Sequence, residues 1–245
     1  MLNKPPKSIL RLSGQAIAHY GMIQEGDRLL LGLSGGKDSL SLLQVLAHFQ
    51  RVAPVRFELG AITVDPEIPA FDPSPLKDYL AALGVPYFYQ EQPIMDDASR
   101  HAEEPGFSFC AFCSRMKRGI IYSTARREGY NVIALAQHLD DLAQSFLMSA
   151  MHRGQLRTMQ AHYTIDAGDL RVIRPFVYVR ERQTAAFAES ARLPIIPDNC
   201  PACFSMPTER EHMKQLLLAE EARYPQLFRN LLSALRPLMG ERVDT

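Results

Sequence analysis

The sequence lacks a long apolar run and lacks net charge, and each absence excludes a class of protein. No apolar stretch in its 245 residues approaches the roughly 18 needed to cross a bilayer, so we expect no membrane contact. The start of the chain has no apolar core or small-residue cleavage site, which favours a cytoplasmic location. Because 27 basic and 27 acidic residues cancel, any attraction to nucleic acid requires a local basic surface.

The chain also lacks internal repeats and low-complexity tracts, and apolar strand patterns alternate with helical ones. Strand-like runs lie at 28–33, 57–64, 86–90 and 132–136, and a hairpin turn is predicted at 166–169. Helical patterns lie between the strands, and they cover 76–83, 114–128, 140–152 and 180–192. This alternation predicts an α/β fold with a mostly parallel sheet flanked by helices over 1–198. Residues 199–245 are predicted to form a cysteine segment and a helical tail packed on the same domain.

A glycine-rich turn lies where the first strand should end and a helix should begin. Glycines allow the backbone to approach a ligand, and the helix N-terminus offers free N–H groups to an anion. A purely structural turn is the alternative, but hydroxyls and a lysine in the same six residues favour a phosphate site. Only three residues separate Gly32 from Gly36, so this is not a Walker A loop. The predicted phosphate loop consists of Ser34, Gly35, Gly36, Lys37, Asp38 and Ser39.

Two adjacent acids, Asp140 and Asp141, follow the fourth predicted strand. The carboxyl ends of parallel strands face one crevice, so these acids should lie near the phosphate loop. Asp140 could simply cap the next helix, but two acids exceed what a cap requires. Mg²⁺ prefers carboxylate and phosphate oxygens, so Asp140 or Asp141 with Asp38 is predicted to hold it against a bound phosphate. His138 receives no assigned role.

The four cysteines form two C-x-x-C pairs, Cys110 with Cys113 and Cys200 with Cys203. Cytoplasmic thiols stay reduced unless a metal or catalysis uses them. Two pairs brought together by folding suit tetrahedral zinc, and thiolates equally suit an iron–sulfur cluster. From these residues alone, both metals and simple burial of the thiols remain open.

Two motifs carry a family resemblance. The order Ser-Gly-Gly-Lys-Asp-Ser resembles the PP-loop of ATP pyrophosphatases, which split ATP into AMP and pyrophosphate. The segment from Cys110 to Tyr122 resembles the central motif of the tRNA 2-thiocytidine synthetases, the sulfur-inserting branch of those enzymes. Segments at 62–65, 83–87, 136–141, 174–181 and 193–197 agree, so the likeness spans about 8–240.

The resemblance implies a Rossmann-like PP-loop fold and an ATP-dependent tRNA thiolation. It implies catalytic roles for Asp38 and Asp141, and ATP contacts from the phosphate loop, Asp65 and Asp140. A [4Fe-4S] cluster would be held by Cys110, Cys113 and Cys200, with Cys203 either a bystander or a fourth ligand. Further expectations are tRNA as substrate, Mg²⁺ beside ATP, a cysteine desulfurase as sulfur donor, and a homodimer.

Basic residues concentrate in the predicted helix that follows Cys113. At about 100° per residue, Arg115, Arg118 and Arg126 lie near one side, which suits contacts to RNA phosphates. The alternative is an ordinary solvated helix face.

Two other functions compete with tRNA thiolation through an iron–sulfur cluster. A zinc-stabilised PP-loop enzyme could adenylate another tRNA nucleoside, for a uridine thiolation or a lysidine-type ligation. An inactive ATP-binding or tRNA-binding module is the third hypothesis, and the intact Asp38, Asp140 and Asp141 argue against it.

Overall fold

The computed structural model describes residues 3–67, 71–101, 107–196 and 208–240. Its centre is a six-stranded sheet in the order β3-β2-β1-β4-β6-β5. All neighbouring pairs are parallel except β5 with β6, which is antiparallel and encloses the predicted hairpin turn. The predicted fold class is confirmed. The strands are β1 Asp27–Gly32, β2 Phe57–Asp65, β3 Tyr87–Glu91, β4 Val132–Ala134, β5 His162–Thr164 and β6 Arg171–Ile173.

Helices cover both faces of the sheet because its central strands are apolar on both sides. In β1, Leu29 and Leu31 pack into the larger core cluster, whereas Leu30 points into the second. Parallel strands buried on both faces show this continuous apolar run. The helices are α1 Lys7–His19, α2 Lys37–Val52, α3 Ser74–Leu83, α4 Ile94–Arg100, α5 Phe109–Glu128, α6 Leu139–Arg153, α7 Glu181–Ser190, α8 Glu209–Arg223 and α9 Leu227–Leu235, with a 3₁₀ turn at Arg236–Leu238.

Several elements differ from the sequence prediction. Helices α1 and α4 were not predicted. The helix predicted to begin at residue 114 begins at Phe109, because the Ser108 hydroxyl accepts the Ala111 N–H and caps it. Cys110 and Cys113 therefore lie on the first turns of α5 and not in a loop.

The tail helices α8 and α9 pack on α6 and extend the larger core. Met213, Leu217 and Phe228 are buried, as is Leu235 at the end of α9. The predicted boundary between 198 and 199 lies outside the described residues. Within the described part, every helix is too short or too polar to cross a membrane.

Candidate functional site at the carboxyl edge of the sheet

The phosphate loop leaves β1 at the carboxyl edge of the sheet and turns into α2. The Ser34 hydroxyl accepts the Gly36 N–H at 3.3 Å and lies 3.2 Å from the Ser39 hydroxyl. Gly35 has φ +85°, and a Cβ there would lie 3.1 Å from Ile196. Ile196 also donates its N–H to the Gly35 carbonyl at 3.0 Å. Glycine is favoured at this position because a side chain would be strained by the backbone angle and would crowd Ile196.

Lys37 lies in this loop between two carboxylates. Its Nζ is 3.0 Å from Asp38 Oδ2 and 2.9 Å from Glu181 Oε1. Burial by itself would lower the pKa of Lys37, but Asp38 and Glu181 outweigh it and raise the pKa above its ordinary value. The lysine is therefore a fixed positive charge at the phosphate loop.

Glu181, the first residue of α7, binds a second lysine from the tail. Lys214 on α8 places its Nζ 2.9 Å from Glu181 Oε2. Burial would raise the pKa of Glu181, but Lys214 and Lys37 lower it to about 2. The Glu181 carboxylate thus connects the phosphate loop to helix α8.

His138 lies at the centre of the acidic residues and caps α6. Its Nδ1 accepts the Asp141 N–H at 3.3 Å, and Asp141 Oδ2 accepts the His138 N–H at 3.0 Å. This reciprocal pair is a capping box, so the alternative of a cap by Asp140 is wrong. With Nδ1 as acceptor, the neutral ring carries its proton on Nε2, which lies 3.7 Å from Asp38 Oδ2.

Asp140 belongs to a buried ion-pair network. Arg180 contacts both of its oxygens, at 3.1 and 3.2 Å, and the Glu181 N–H donates to Oδ2 at 2.7 Å. The same guanidinium forms two hydrogen bonds to Glu221 on α8, at 2.7 and 2.8 Å, and it lies 3.2 Å from the ring centre of Phe228 on α9. Asp140 is therefore engaged by Arg180 and joins α6 to the tail helices.

Asp38 and Asp141 are the carboxylates most open to a cation at this edge. Thr184 donates its hydroxyl to Asp38, and Arg210 lies 3.4 Å from Asp141. Within the described residues, no three His, Cys, Asp or Glu side chains form a metal site by themselves. A magnesium ion here would need phosphate oxygens to complete its shell, as Mg²⁺ bound with nucleotides does.

Asp65 is the last residue of β2, which lies next to β1 in the sheet, and β1 leads into the phosphate loop. It is buried, accepts a hydrogen bond from the Tyr89 hydroxyl and accepts the Glu67 N–H at 2.7 Å. Burial, together with the hydrogen bond to Asp65, raises the pKa of Tyr89 well above its ordinary value. Asp65 therefore orders the end of its strand, and its predicted contact with ATP stays a prediction.

The first two cysteines lie at the same edge of the sheet. Helix α5 leads into β4 at its C-terminal end, so its N-terminal turns lie toward the carboxyl ends of the strands. Cys110 is exposed and Cys113 half-buried, and residues three apart lie on one helix face. A half-exposed pair of cysteines at this spacing fits an iron–sulfur cluster or zinc. Cys200 and Cys203 lie outside the described residues.

Aromatic rings cluster at the start of α5. Phe107 lies 5.1 Å from Phe109 and 5.7 Å from Phe112, between ring centres, and His101 lies 5.5 Å from Phe112. Phe112 and Cys113 both pack against the second core cluster, in contrast to the charged phosphate loop.

The predicted RNA-binding arginines differ in their surroundings, and their role stays a prediction. Arg126 is bound to Asp169 across the hairpin turn, at 2.6 and 3.0 Å, and Arg118 donates to the Ser114 carbonyl of its own helix. Arg115 lines a groove of about 330 Å³ between α5 and the end of β3. Gln90, Glu91, Gln92, Gly119 and Arg127 also line this groove.

Sequence reasoning missed the residues that α7 and α8 bring to the site. Two of them contact the phosphate loop directly, Glu181 through Lys37 and Thr184 through Asp38, and the third, Lys214, contacts Glu181. All three lie more than 140 positions after the loop. The only sequence signal for these residues was the pair Arg180-Glu181, which ends the segment 174–181 that carries part of the family resemblance.

Comparison with known proteins agrees with the site. A family model described as a PP-loop domain matches residues 8–221. The chain is similar to a protein of Geobacter sulfurreducens named tRNA-cytidine(32) 2-sulfurtransferase, with 39% identity over 94% of this chain and 89% of that one. A relative of the same name from Syntrophotalea carbinolica is 40% identical over 94% of this chain and 88% of its own.

A solved structure has the same fold. The U34-tRNA thiolase NcsA from Methanococcus maripaludis, determined with its [4Fe-4S] cluster, superposes with a TM-score of 0.77. The match covers 95% of this chain and 78% of that one, at 20% sequence identity. At this identity the likeness supports the fold alone.

Proposed function

Since the chain belongs to the PP-loop family, and within it to the tRNA-cytidine 2-sulfurtransferases, we propose that it replaces the O2 atom of cytidine 32 in tRNA by sulfur. The observation that carries the proposal is the common edge of the sheet. It holds a phosphate loop after β1 and a C-x-x-C pair at the start of α5.

The phosphate loop suits the activation step. Its backbone N–H groups, Ser39 and Lys37 would bind the phosphates of ATP, with positive charge where the pyrophosphate leaves. The cytidine O2 would attack the α-phosphorus, forming an O-adenylate and releasing pyrophosphate. Asp38 and Asp141 would hold Mg²⁺ against the phosphates, and His138 would fix both carboxylates from between them.

Sulfur exchange would complete the reaction without redox change. Hydrosulfide would add at C2 of the adenylated base, and AMP would leave with the former O2 oxygen. We propose Cys110, Cys113 and Cys200 as the ligands of a [4Fe-4S] cluster, which when bound would supply the position for the incoming sulfur. Ile196, four positions before Cys200, contacts the phosphate loop, so the chain reaches the cysteine segment from the nucleotide site. We expect a cysteine desulfurase to supply the sulfur.

We propose that tRNA binds along the exposed side of α5. Arg115 and Arg127 lie three helical turns apart, about 18 Å, on a groove that begins near the cysteines. Gly119 lies between them, and nothing within 4 Å would meet a Cβ there. Glycine disfavours a helix interior, and packing does not require it here, so it leaves space for a phosphate backbone. Glu91 opposes an anion, so the attraction is local and modest.

Anaerobic reconstitution tests the function. The full-length protein is incubated with ATP, Mg²⁺, sulfide and unmodified tRNA, and the nucleosides are identified by mass spectrometry. We expect 2-thiocytidine at position 32, together with iron and acid-labile sulfide in the protein. Zinc without iron, or an unchanged nucleoside profile with intact pyrophosphate release, would contradict this proposal and favour adenylation of another tRNA nucleoside.

A further inference from the structure

We propose that Lys214, on the tail helix α8, is a second pyrophosphate-binding lysine of the nucleotide site. The inference rests on the proposed function in one respect, namely that the phosphate loop binds ATP. It adds Lys214 of helix α8, a residue that no sequence motif marks.

Lys214 and Lys37 share one carboxylate oxygen. Lys214 Nζ lies 3.0 Å from Glu181 Oε1, and Lys37 Nζ lies 2.9 Å from the same atom. The two ammonium groups are therefore within about 6 Å of each other, a separation that one pyrophosphate can bridge. Glu181 thus places the tail lysine beside the loop lysine.

The local charge balance indicates why a second lysine is needed. Lys37 faces both Asp38 and Glu181, so these three groups alone leave one net negative charge at a loop that must attract a polyanion. Lys214 cancels that charge. Because Glu181 has a pKa of about 2, it stays ionised at neutral pH and does not relieve the imbalance by protonation.

Both lysines remain accessible to a ligand. The side chains of Lys37 and Lys214 are 30% and 34% exposed, whereas Glu181 beneath them is 21% exposed. An ion pair with this exposure contributes little to stability, so a purely structural role explains the arrangement poorly.

Helix α8 does not depend on Lys214 for its position. Met213 and Leu217 bury its apolar side, and Glu221 anchors it to Arg180. One turn before Lys214, Arg210 reaches Asp141, so α8 lies along the acids of the site. A charge removed at Lys214 should therefore change ligand binding and leave the fold intact.

Titration calorimetry of the full-length protein with inorganic pyrophosphate and Mg²⁺ tests the inference without turnover. Lys214→Met keeps the aliphatic stem and loses the charge, and we expect about tenfold weaker binding. Lys214→Arg should restore binding to within about twofold of wild type. Arg223→Met removes a charge from the same helix that contacts neighbouring Glu220 and the Tyr224 ring, and it should bind as wild type does.

A second measurement needs no variant. Saturating pyrophosphate should protect Lys214 of the wild-type protein from reductive methylation, read by mass spectrometry of its peptide. Unchanged methylation, or equal pyrophosphate affinity of wild type and Lys214→Met, would overturn the inference. Protein that binds pyrophosphate through Lys214 but never thiolates tRNA would support it and count against the proposed function alone.

Discussion

The two ends of the candidate site are built from different interactions. At the nucleotide end, ion pairs connect α2, α6, α7 and α8 around Glu181 and Arg180. At the cysteine end, the first turns of α5 present two thiols beside aromatic rings.

The difference follows from the chemistry proposed for each end. Charged phosphates need fixed charges, which a network of ion pairs holds in place before the ligand arrives. A metal–thiolate centre needs an apolar, accessible neighbourhood, because surrounding polarity and solvent control its reactivity. The ends can therefore be perturbed separately.

Replacing Cys113 by serine should separate the two ends most clearly. We expect Cys113→Ser to abolish thiolation while ATP-dependent pyrophosphate release continues, because Lys37 and Asp38 lie on another helix. Thiolated nucleosides and pyrophosphate are measured in the same reaction. The neighbouring change Ser114→Ala is the control and should retain both activities. Loss of pyrophosphate release in Cys113→Ser would show that the ends do not act independently.

Arg180→Met tests the ion-pair network of the nucleotide end. Removing the guanidinium leaves Asp140 as a buried carboxylate without its cation, so we expect the free energy of unfolding to fall by about 3 kcal/mol. Urea denaturation measures the change. Arg182→Met, at a side chain that is 73% exposed, is the matched control and should change stability by less than about 0.5 kcal/mol. Equal effects of both variants would contradict the role given to Arg180.

Glu181 gives the nucleotide end a defined pH dependence. Its pKa falls from 4.5 to about 2 on folding, so its contribution to stability is complete above pH 4.5 and is lost as the pH falls toward 2. Because its two ion pairs are partly exposed, we expect the free energy of unfolding of wild type to exceed that of Glu181→Gln by about 1 kcal/mol at pH 7, with the gap closing over that acidic range. Urea midpoints from pH 2 to 7 measure it. Glu220→Gln, at a more exposed ion pair, should give no comparable gap.

Gly119→Ala should slightly raise the stability of the protein and weaken its binding of tRNA. Alanine favours the helix and meets nothing within 4 Å, so we expect a gain of about 0.5–1 kcal/mol in the free energy of unfolding. The same methyl group should weaken tRNA binding in a filter or gel assay. Gly14→Ala in α1 is the control, since it should stabilise its helix and leave tRNA binding unchanged. Unweakened tRNA binding in Gly119→Ala would remove the groove from the RNA path.

Local patterns were sufficient to predict a mostly parallel sheet and a glycine turn between the first strand and a helix. The apolar run before Gly32 and the glycines after it predicted a strand, a turn and a helix, and the structure has them in that order. The start of α5 was misjudged because its cap, Ser108, precedes residues of low helical periodicity. The role of the arginine face stays a prediction, and helical spacing alone did not indicate that Arg126 pairs with Asp169 in the hairpin turn.

The available chemistry could be read from the residues alone: a lysine and serines after a strand, paired acids after another, and thiols three residues apart. How these charges are balanced depends on the folded chain. Asp140 pairs with Arg180, His138 lies between Asp38 and Asp141, and Lys214 joins Lys37 on Glu181. Periodicity and spacing describe the chain over a few turns, whereas an ion pair forms between any residues that packing brings within a few ångströms.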